Sequence, residues 1–406
     1  MEVVNFLKNI DRNFSCERSI ILRYRNCVFP VIAGKKKISL DDNTFQDVSI
    51  LEGSKIYPFI YYKDVKISIL DETSLMASGT FKSLDACISL AIAKSQGIKT
   101  LVFESGGNTG TAFSIYAAML KLRTFLVMPL DNLYLLSEKS FLKPYNYIIA
   151  VKNAKDTKIV SEKISKLTLG YRIPRLEWMY IAATFRGYRI LEYLLEKGGI
   201  DWLSQTISAG FGPIGIYRVL NSCKKTLLYN IPRFLGVQQA ENCPYYKKIK
   251  GVKPEEITST KDLLIPIMYD FSPFSYQAFD AFKEIIDYHG RILTINKDEF
   301  NIFTQKYLNP RGIVWWLLEE NGTFIYKENS NIIDKAGLVG LAGVFKAVDS
   351  GVIKKGQAVL HALSSGSYRI SGSVKPDFVI EDMSSIDTQL NSFIESIQEN
   401  KVYADA

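Results

Sequence analysis

The sequence predicts an α/β fold in which parallel or mixed sheets are flanked by helices. Apolar strand-like runs alternate with helical patterns from about residue 98 to residue 363, an order typical of parallel sheets covered on both faces. Glycine-containing loops lie at strand ends or helix starts, where open α/β proteins bind ligands. The 406 residues, 47% of them hydrophobic, are enough for about two to three domains of ~150 residues.

Each element follows from the spacing of its apolar residues. Strands are predicted at residues 98–103, 124–128, 147–151, 203–208, 233–237, 292–294 and 358–363. Helices are predicted at residues 110–122, 156–167, 186–197, 213–223, 278–288, 297–307 and 335–349. The aromatic run at residues 55–62 resembles part of a hairpin, and the rest of the first seventy residues is harder to place.

The charge and cysteine content argue against several classes of partner. The net charge of +8 is spread over short basic clusters, which does not predict nucleic-acid binding. The longest uncharged apolar run, residues 336–345, is shorter than the ~18 residues of a membrane span. Five cysteines without a CxxC pair and two distant histidines predict neither disulfides nor a metal site. We expect a cytoplasmic protein with a small-molecule substrate.

The loop at residues 210–215 has the pattern Gly-x-Gly-x-x-Gly after an apolar strand. Its backbone N–H groups can approach a phosphate, which the dipole of the following helix also attracts. One interpretation is a nicotinamide dinucleotide site, with Gln239 or Glu241 near the ribose. The mid-chain position and Pro213, which has no N–H, argue against that site, and the glycines can equally serve a tight turn.

Two other loops carry a polar side chain near small residues. Asn108, in the loop at residues 104–110, either offers its amide to a ligand oxygen or caps a helix. Lys82 follows Gly-Thr-Phe at a helix start, which is common for a surface lysine. Its apolar neighbours Phe81 and Leu84 instead indicate a partly buried amine, which suits Schiff-base chemistry.

Together, the order and spacing of the loops resemble the fold type II enzymes of the threonine synthase and cysteine synthase superfamily, which use pyridoxal 5′-phosphate. Residues 80–82 are similar to the segment whose lysine holds the cofactor. Residues 105–110 are similar to the Ser-Gly-Asn-Thr-Gly segment, with one extra glycine. Residues 210–215 resemble the phosphate cup, and residues 364–366 resemble the segment that faces the pyridine nitrogen.

This resemblance implies the residues of the site. The implied cofactor contacts are Lys82, Asn108, Gly210, Phe211, Gly212, Ile214, Gly215 and Ser364, with Ser365 as the second choice for the last. The implied substrate contacts are Ser105, Gly106, Gly107 and Thr109. Within the superfamily, residues 81–86, 107–113 and 238–242 are most similar to the cysteate synthase branch of the threonine synthases.

Two departures from the family pattern bear on the site. Ser83 and Leu84 replace the usual acid and arginine after the lysine. Phe211 and Pro213 replace smaller residues in the phosphate loop, so the cup has fewer backbone donors. A water or a side chain is therefore expected to complete the cup.

The resemblance also implies an architecture of two α/β domains with the cofactor in the cleft between them. Residues 71–84 and 201–406 would form the large domain, and residues 1–70 would pack on it. Residues 85–200 would form a small mobile domain that closes over the substrate. Members of this family are commonly homodimers, so we expect one here.

The implied reaction is a β- or γ-elimination or replacement on an amino acid, since a hydroxyl at residue 364 would leave the pyridine nitrogen unprotonated. Lys82 would also remove the α-proton. O-phosphoserine or O-phosphohomoserine is the expected donor, and Arg175, Arg186 or Arg189 would bind its phosphate unless they are exposed helix residues. The alternatives are an ammonia-lyase, a catalytically altered homologue acting as a sensor or partner, and a dinucleotide-dependent oxidoreductase.

Overall fold

The computed structural model describes residues 2–33, 36–49, 52–136, 140–173, 176–254, 257, 259–269, 278–288, 290–308, 312–323, 327–328, 331–332, 335–365 and 374–404. Two residues named above, Arg175 and Gly366, lie outside this set. No helix in the described part of the chain combines the length and the apolar character needed to cross a membrane.

Strands and helices alternate along most of the chain. The strands are β1 Val31–Ala33, β2 Lys36–Ile38, β3 Lys55–Tyr62, β4 Val65–Asp71, β5 Thr100–Glu104, β6 Arg123–Pro129, β7 Asn146–Val151, β8 Tyr171–Arg172, β9 Trp202–Thr206, β10 Arg233–Gln239, β11 Arg291–Ile295, β12 Lys327–Glu328, β13 Asn331–Ile332, β14 Ala358–Leu363 and β15 Phe378–Ile380. The α-helices are α1 Val3–Asn9, α2 Ile20–Val28, α3 Asp42–Val48, α4 Lys82–Ser95, α5 Asn108–Met119, α6 Thr157–Thr168, α7 Leu176–Lys197, α8 Phe211–Ser222, α9 Pro244–Ile249, α10 Phe279–Asp287, α11 Lys297–Phe303, α12 Ile313–Glu320, α13 Ala336–Asp349 and α14 Ile386–Ala404.

A six-stranded sheet has the strand order β11-β10-β9-β14-β4-β3. Its strands run parallel except β3, which pairs antiparallel with β4 at one edge. Every residue of the central strand β9 is buried, so this strand passes through the middle of the core. Because β9, β14 and β4 are neighbours and parallel, their carboxyl ends lie side by side at the same end of the sheet. The loops that follow them therefore meet there.

A second sheet has five parallel strands in the order β15-β7-β6-β5-β8. The C-terminal strand β15 belongs to this sheet, because it pairs with β7. Helix α14 packs on the same sheet, since its apolar residues share a buried cluster with β6 and β7. This placement differs from the sequence-based assignment of residues 201–406 to one domain. No sequence motif indicates that the C-terminal segment packs on the sheet formed by β5, β6 and β7.

The close packing of helix α13 on the sheet explains why its sequence is rich in glycine and alanine. A Cβ at Gly340 would lie 2.4 Å from Thr206 Oγ1, and a Cβ at Gly343 would lie 2.4 Å from Val237 Cγ2. The helix can therefore lie directly on β9 and β10 only where side chains are missing. This close packing fixes the strand ends on which the site depends.

The alternating sheets and helices confirm the predicted fold class. Strand β14 has the predicted bounds, whereas α7 begins ten residues before the predicted start at residue 186. The N-terminal half of α7 is buried against other elements on several sides. Its apolar residues therefore surround the helix and form no single apolar stripe that a sequence pattern would reveal. The predicted helix at residues 297–307 ends at Phe303 and continues as a π-helical turn over Thr304–Leu308.

Candidate active site

A cavity of about 420 Å³ opens between the carboxyl ends of strands from the two sheets. This volume is within the ~300–1,000 Å³ that is usual for small-molecule sites. The loops after β4, β9 and β14 form one wall, and the loops after β5 and β7 form the opposite wall. The structure therefore brings together all three loops that the sequence singles out.

Most of the predicted site residues line this cavity. Those that do are Lys82, Ser105, Gly106, Gly107, Asn108, Thr109, Gly210, Phe211, Gly212, Ser364 and Ser365. Ile214 and Gly215 lie further along α8 and are not among the lining residues. A Cβ at Gly215 would come within 2.3 Å of Ala183 Cβ, so this glycine permits the close packing of α8 on α7. The predicted cofactor roles of these residues stay predictions.

Lys82 is the first residue of α4, at the end of the loop that follows β4. A local network fixes this loop, because the Ser78 N–H donates to Ser83 Oγ at 3.0 Å and the two hydroxyls lie 2.9 Å apart. The Phe81 N–H donates to the Ser364 carbonyl at 3.1 Å, which joins the lysine loop to the end of β14. The amine and the predicted serine therefore share one rigid corner of the cavity.

The Lys82 side chain lies at the cavity wall and is 21% exposed. Its Nζ donates to Asp85 Oδ2 at 2.8 Å and lies 4.5 Å from the centre of the Phe81 ring. The carboxylate and the aromatic face both attract a cation. The prediction of a partly buried amine at this position agrees with the structure.

Arg186 is buried beneath the same wall and does not line the cavity. Its Nε donates to Glu72 Oε1 at 2.6 Å, its Nη2 makes a second bond to that carboxylate, and Nη2 also donates to Gln205 Oε1 at 2.9 Å. Its Nη1 lies against Gly212, where a Cβ would be 2.4 Å away. The guanidinium also stacks on Phe81, 4.5 Å from the ring centre. Arg186 therefore connects the lysine loop with the glycine loop.

The glycine loop leads from β9 into α8. Gly210 has φ +76°, a conformation that favours glycine, and α8 begins at Phe211. The N–H groups of Phe211 and Gly212 lie in the first helical turn, where no intrahelical carbonyl is available to them. Pro213 contributes none, and the exposed side chain of Ser208 lines the cavity beside them. This arrangement suits an anion such as a phosphate group.

The loop after β5 is held by the hydroxyl of Ser105, whose Oγ accepts from the N–H of Gly107 at 3.1 Å and of Gly110 at 2.8 Å. Asn108 is the first residue of α5, so the cap position belongs to Gly107, which has φ +151°. The alternative of Asn108 as the helix cap is therefore wrong. The Ser105 hydroxyl can still donate its own proton to a ligand.

The opposite wall contains polar residues that the sequence reasoning missed. Thr157 begins α6, and Lys155 and Lys158 flank it at the cavity. They follow the predicted strand at residues 147–151, so the rule that ligands bind at strand ends could have found them. Tyr269 also lines the cavity, and burial, together with the nearby Glu104 carboxylate, raises its pKa.

Two of the three arginines that were candidates for binding the substrate phosphate do not line the cavity. Arg186 is committed to its buried ion pair, and Arg189 does not line the cavity. The lining cations in the described part of the chain are Lys82, Lys155 and Lys158. In addition, the Gln239 side chain accepts from the Ile265 N–H at 2.8 Å and donates to the Met268 carbonyl at 2.5 Å, so it is occupied within the fold rather than at a ribose site.

Known proteins similar to this chain in sequence include two cysteate synthases. The chain is 22% identical to the cysteate synthase of Methanosarcina barkeri, covering 80% of this chain and 76% of that protein. It is 21% identical to the cysteate synthase of Methanosarcina mazei, covering 76% and 73%. The relatives thus include the branch that the motifs predict.

Solved structures share the fold. A hydrogen sulfide-producing enzyme superimposes with a TM-score of 0.58 at 15% identity, over 86% of this chain and 96% of that one. A threonine deaminase from T.th. superimposes with a TM-score of 0.54 at 16% identity, over 78% and 95%. The family model for pyridoxal-phosphate dependent enzymes matches residues 63–314, more than half of the sequence. The chain therefore belongs to the family of pyridoxal-phosphate dependent enzymes.

Proposed function

We propose that the protein is a lyase or transferase that eliminates or replaces the β or γ substituent of an amino acid, with pyridoxal phosphate held by Lys82. One observation carries this proposal. Lys82, the first turn of α8, Ser364 and Ser365 all line one cavity. An amine can bond to the cofactor's aldehyde, a helix N-terminus can bind its phosphate, and a hydroxyl can donate to its pyridine nitrogen.

The residues present fit the cofactor. Phe211 and Gly212 line the cavity, and their N–H groups lie in the first turn of α8, where no intrahelical carbonyl is available to them. A Cβ at Gly210 or Gly212 would meet Tyr245 or Arg186, so the two glycines let this loop pack closely on the residues behind it. The side chains at the end of β14 are hydroxyls and not carboxylates. When bound, pyridoxal phosphate supplies an electron sink for the negative charge that develops at the substrate α-carbon.

The other tasks fall to side chains of this protein. The Lys82 Nζ takes the α-proton, and the electron pair of the broken C–H bond stays with the substrate. Ser105, Gly106, Gly107 and Thr109 bind the substrate carboxylate, for which the Ser105 hydroxyl can donate and the first turn of α5 offers N–H groups. Closure of the small domain over the substrate would keep bulk water away from the reacting carbon.

We propose a phosphorylated amino acid, O-phosphoserine or O-phosphohomoserine, as the donor. Lys155 and Lys158 line the wall opposite the glycine loop, at the N-terminal end of α6, and both carry positive charge. Since Arg186 and Arg189 do not line the cavity, these lysines are the cations that support binding of a second phosphate. The likeness to cysteate synthases supports replacement, and simple elimination by an ammonia-lyase is the runner-up.

The test begins with the cofactor. The protein is incubated with pyridoxal phosphate, reduced with borohydride, digested and analysed by mass spectrometry, and the label is expected on Lys82. Lys82→Ala is expected to lower phosphate release from O-phosphoserine by at least ~100-fold, since general acid–base catalysis contributes ~10²–10⁴-fold. Lys94→Ala, on the same helix but 40% exposed and remote from the cavity, is the matched control and keeps full turnover.

Products then separate the candidate activities. O-phosphoserine, O-phosphohomoserine, O-acetylserine and serine are each supplied with and without sulfite or a thiol. Phosphate release that depends on the nucleophile supports replacement, and release with a keto acid but no nucleophile supports an ammonia-lyase. A label on a different lysine would refute the assignment of Lys82. Correct labelling without turnover of any donor would favour the catalytically altered homologue.

A further inference from the structure

A buried carboxylate beside Lys82 has no part in the reaction as proposed so far. Asp85 lies in the first turn of α4, its side chain is 3% exposed, and its Oδ2 accepts from Lys82 Nζ at 2.8 Å. Within the described part of the chain, Lys82 is the one partner of the Asp85 side chain. The two side chains therefore depend on each other for their charge balance.

The Lys82 amine would serve two purposes that compete: the ion pair with Asp85 and the covalent bond to the cofactor. When Lys82 is bound covalently to the cofactor, its Nζ keeps at most one proton and is held by the cofactor, so it no longer pairs with Asp85 as a free ammonium. A buried carboxylate that loses its partner is strongly disfavoured, because little water is available to solvate it. The presence of Asp85 therefore disfavours the cofactor-bound lysine and favours the released one.

We propose that Asp85 is a positioning residue that draws Lys82 away from the cofactor and holds it as an ammonium once it has taken the substrate α-proton. This inference rests on the proposed function. In that step the C–H bond breaks, the proton forms an N–H bond on Nζ, and the electron pair stays with the α-carbon. When replacement is complete, a proton from the Lys82 ammonium returns to the α-carbon and the amine is neutral again; because the ammonium protons exchange with water, the returned proton can come from the solvent.

The two residues between Lys82 and Asp85 do not offer a carboxylate that could take this role. Ser83 is engaged with the Ser78 N–H and hydroxyl, and Leu84 is apolar and fully buried. The family's usual acid and arginine are missing at those two positions, and Asp85 is the next residue along the chain. A carboxylate at the third position after the lysine faces it across one helical turn.

The test uses Asp85→Asn, which keeps the shape of the side chain and removes its charge. We expect pyridoxal phosphate to bind about tenfold more tightly, measured by spectral titration of the cofactor-free protein. We expect exchange of the substrate α-proton with deuterated water, followed by NMR, to be about tenfold slower or more. The two changes have opposite signs. A residue needed only for folding would weaken both.

Two further variants make the result specific. Asp47→Asn removes the exposed ion pair with Lys94 near the other end of α4, where the side chains are 50% and 40% exposed, and should change neither quantity. Asp85→Glu keeps the charge and should restore most of the proton exchange. Should Asp85→Asn not give folded protein, Asp85→Ser provides the same pair of measurements.

Weaker cofactor binding in the folded Asp85 variant, or unchanged α-proton exchange, would overturn the inference. Such a result leaves the proposed function intact, since the borohydride label on Lys82 and turnover by the unaltered protein establish that function separately. Absence of the Lys82 label in the unaltered protein removes the proposed function and this inference with it. The two failures are thus distinguished by a measurement on the unaltered protein.

Discussion

The two walls of the cavity hold their charges differently. On the wall formed by the six-stranded sheet, Arg186 and Glu72 are 0% and 1% exposed and bond to each other in the core. On the opposite wall, Arg172 and Glu104 form a comparable pair, but they are 33% and 31% exposed. The first wall is therefore set before any ligand arrives, whereas the second keeps its charges in contact with water. Charges are thus buried and fixed in the first wall and solvated in the second, so loss of a charge should cost more stability in the first.

Loss of the buried pair gives the largest expected change in stability. Arg186→Met removes the guanidinium and leaves Glu72 charged and buried, for which we expect a loss of about 3–5 kcal/mol in the free energy of unfolding. Urea unfolding of the purified protein measures it. The double variant Arg186→Met, Glu72→Gln should regain part of the loss, because the uncompensated carboxylate is then also removed.

The opposite wall supplies the control for that measurement. Arg172→Met breaks bonds of 3.0 Å to both Glu104 oxygens, yet we expect a loss of less than about 1 kcal/mol because water can solvate the remaining charge. Equal losses from Arg186→Met and Arg172→Met would mean that the two walls do not differ in this way.

The pH dependence of stability sharpens the same contrast. His361, in β14, is fully buried between Ser204 Oγ at 3.4 Å and the Gly337 carbonyl at 3.1 Å, and burial lowers its pKa to about 4. Its pKa in the unfolded chain is ~6.5, so between these values the unfolded chain binds a proton that the folded protein does not. Stability is therefore lost as the pH falls.

The linkage amounts to about 2 kcal/mol between pH 7 and pH 5. Urea unfolding at both values measures it, and His361→Gln should remove most of this part of the pH dependence. An unchanged pH dependence in the variant would show that His361 is not the titrating group.

The contrast also explains what could be predicted from the sequence. The three loops were recognisable because strand ends, glycines and the residues beside them are local patterns, and parallel strands bring their ends together. β14 and the loops at Lys82 and Asn108 follow from such patterns. The buried network does not, since Arg186 contacts Glu72 across 114 residues and Gln205 across 19, and no local pattern records such contacts.

Burial was the other property that the sequence left open. A helical arginine and a helical lysine look alike in a sequence, but Arg186 is buried in α7 while Lys155 is exposed at the cavity. The sequence therefore predicts arginines as partners of the substrate phosphate, whereas the cations that line the opposite wall, among the residues that the structure describes, are lysines. The side chain's position, and not its charge, decides which role it can take.

The smallest expected effect lies on the exposed wall. Lys155→Ala should raise the KM for O-phosphoserine by about two- to fivefold and leave the KM for O-acetylserine unchanged, because an exposed charge contributes at most about 1 kcal/mol to binding. The effect should shrink at high salt, since ions screen a solvated charge. Equal changes for both donors would mean that Lys155 shapes the wall and does not bind the phosphate. A far larger change would mean that closing over the substrate removes this wall from water, so the difference between the walls would belong to the open state alone.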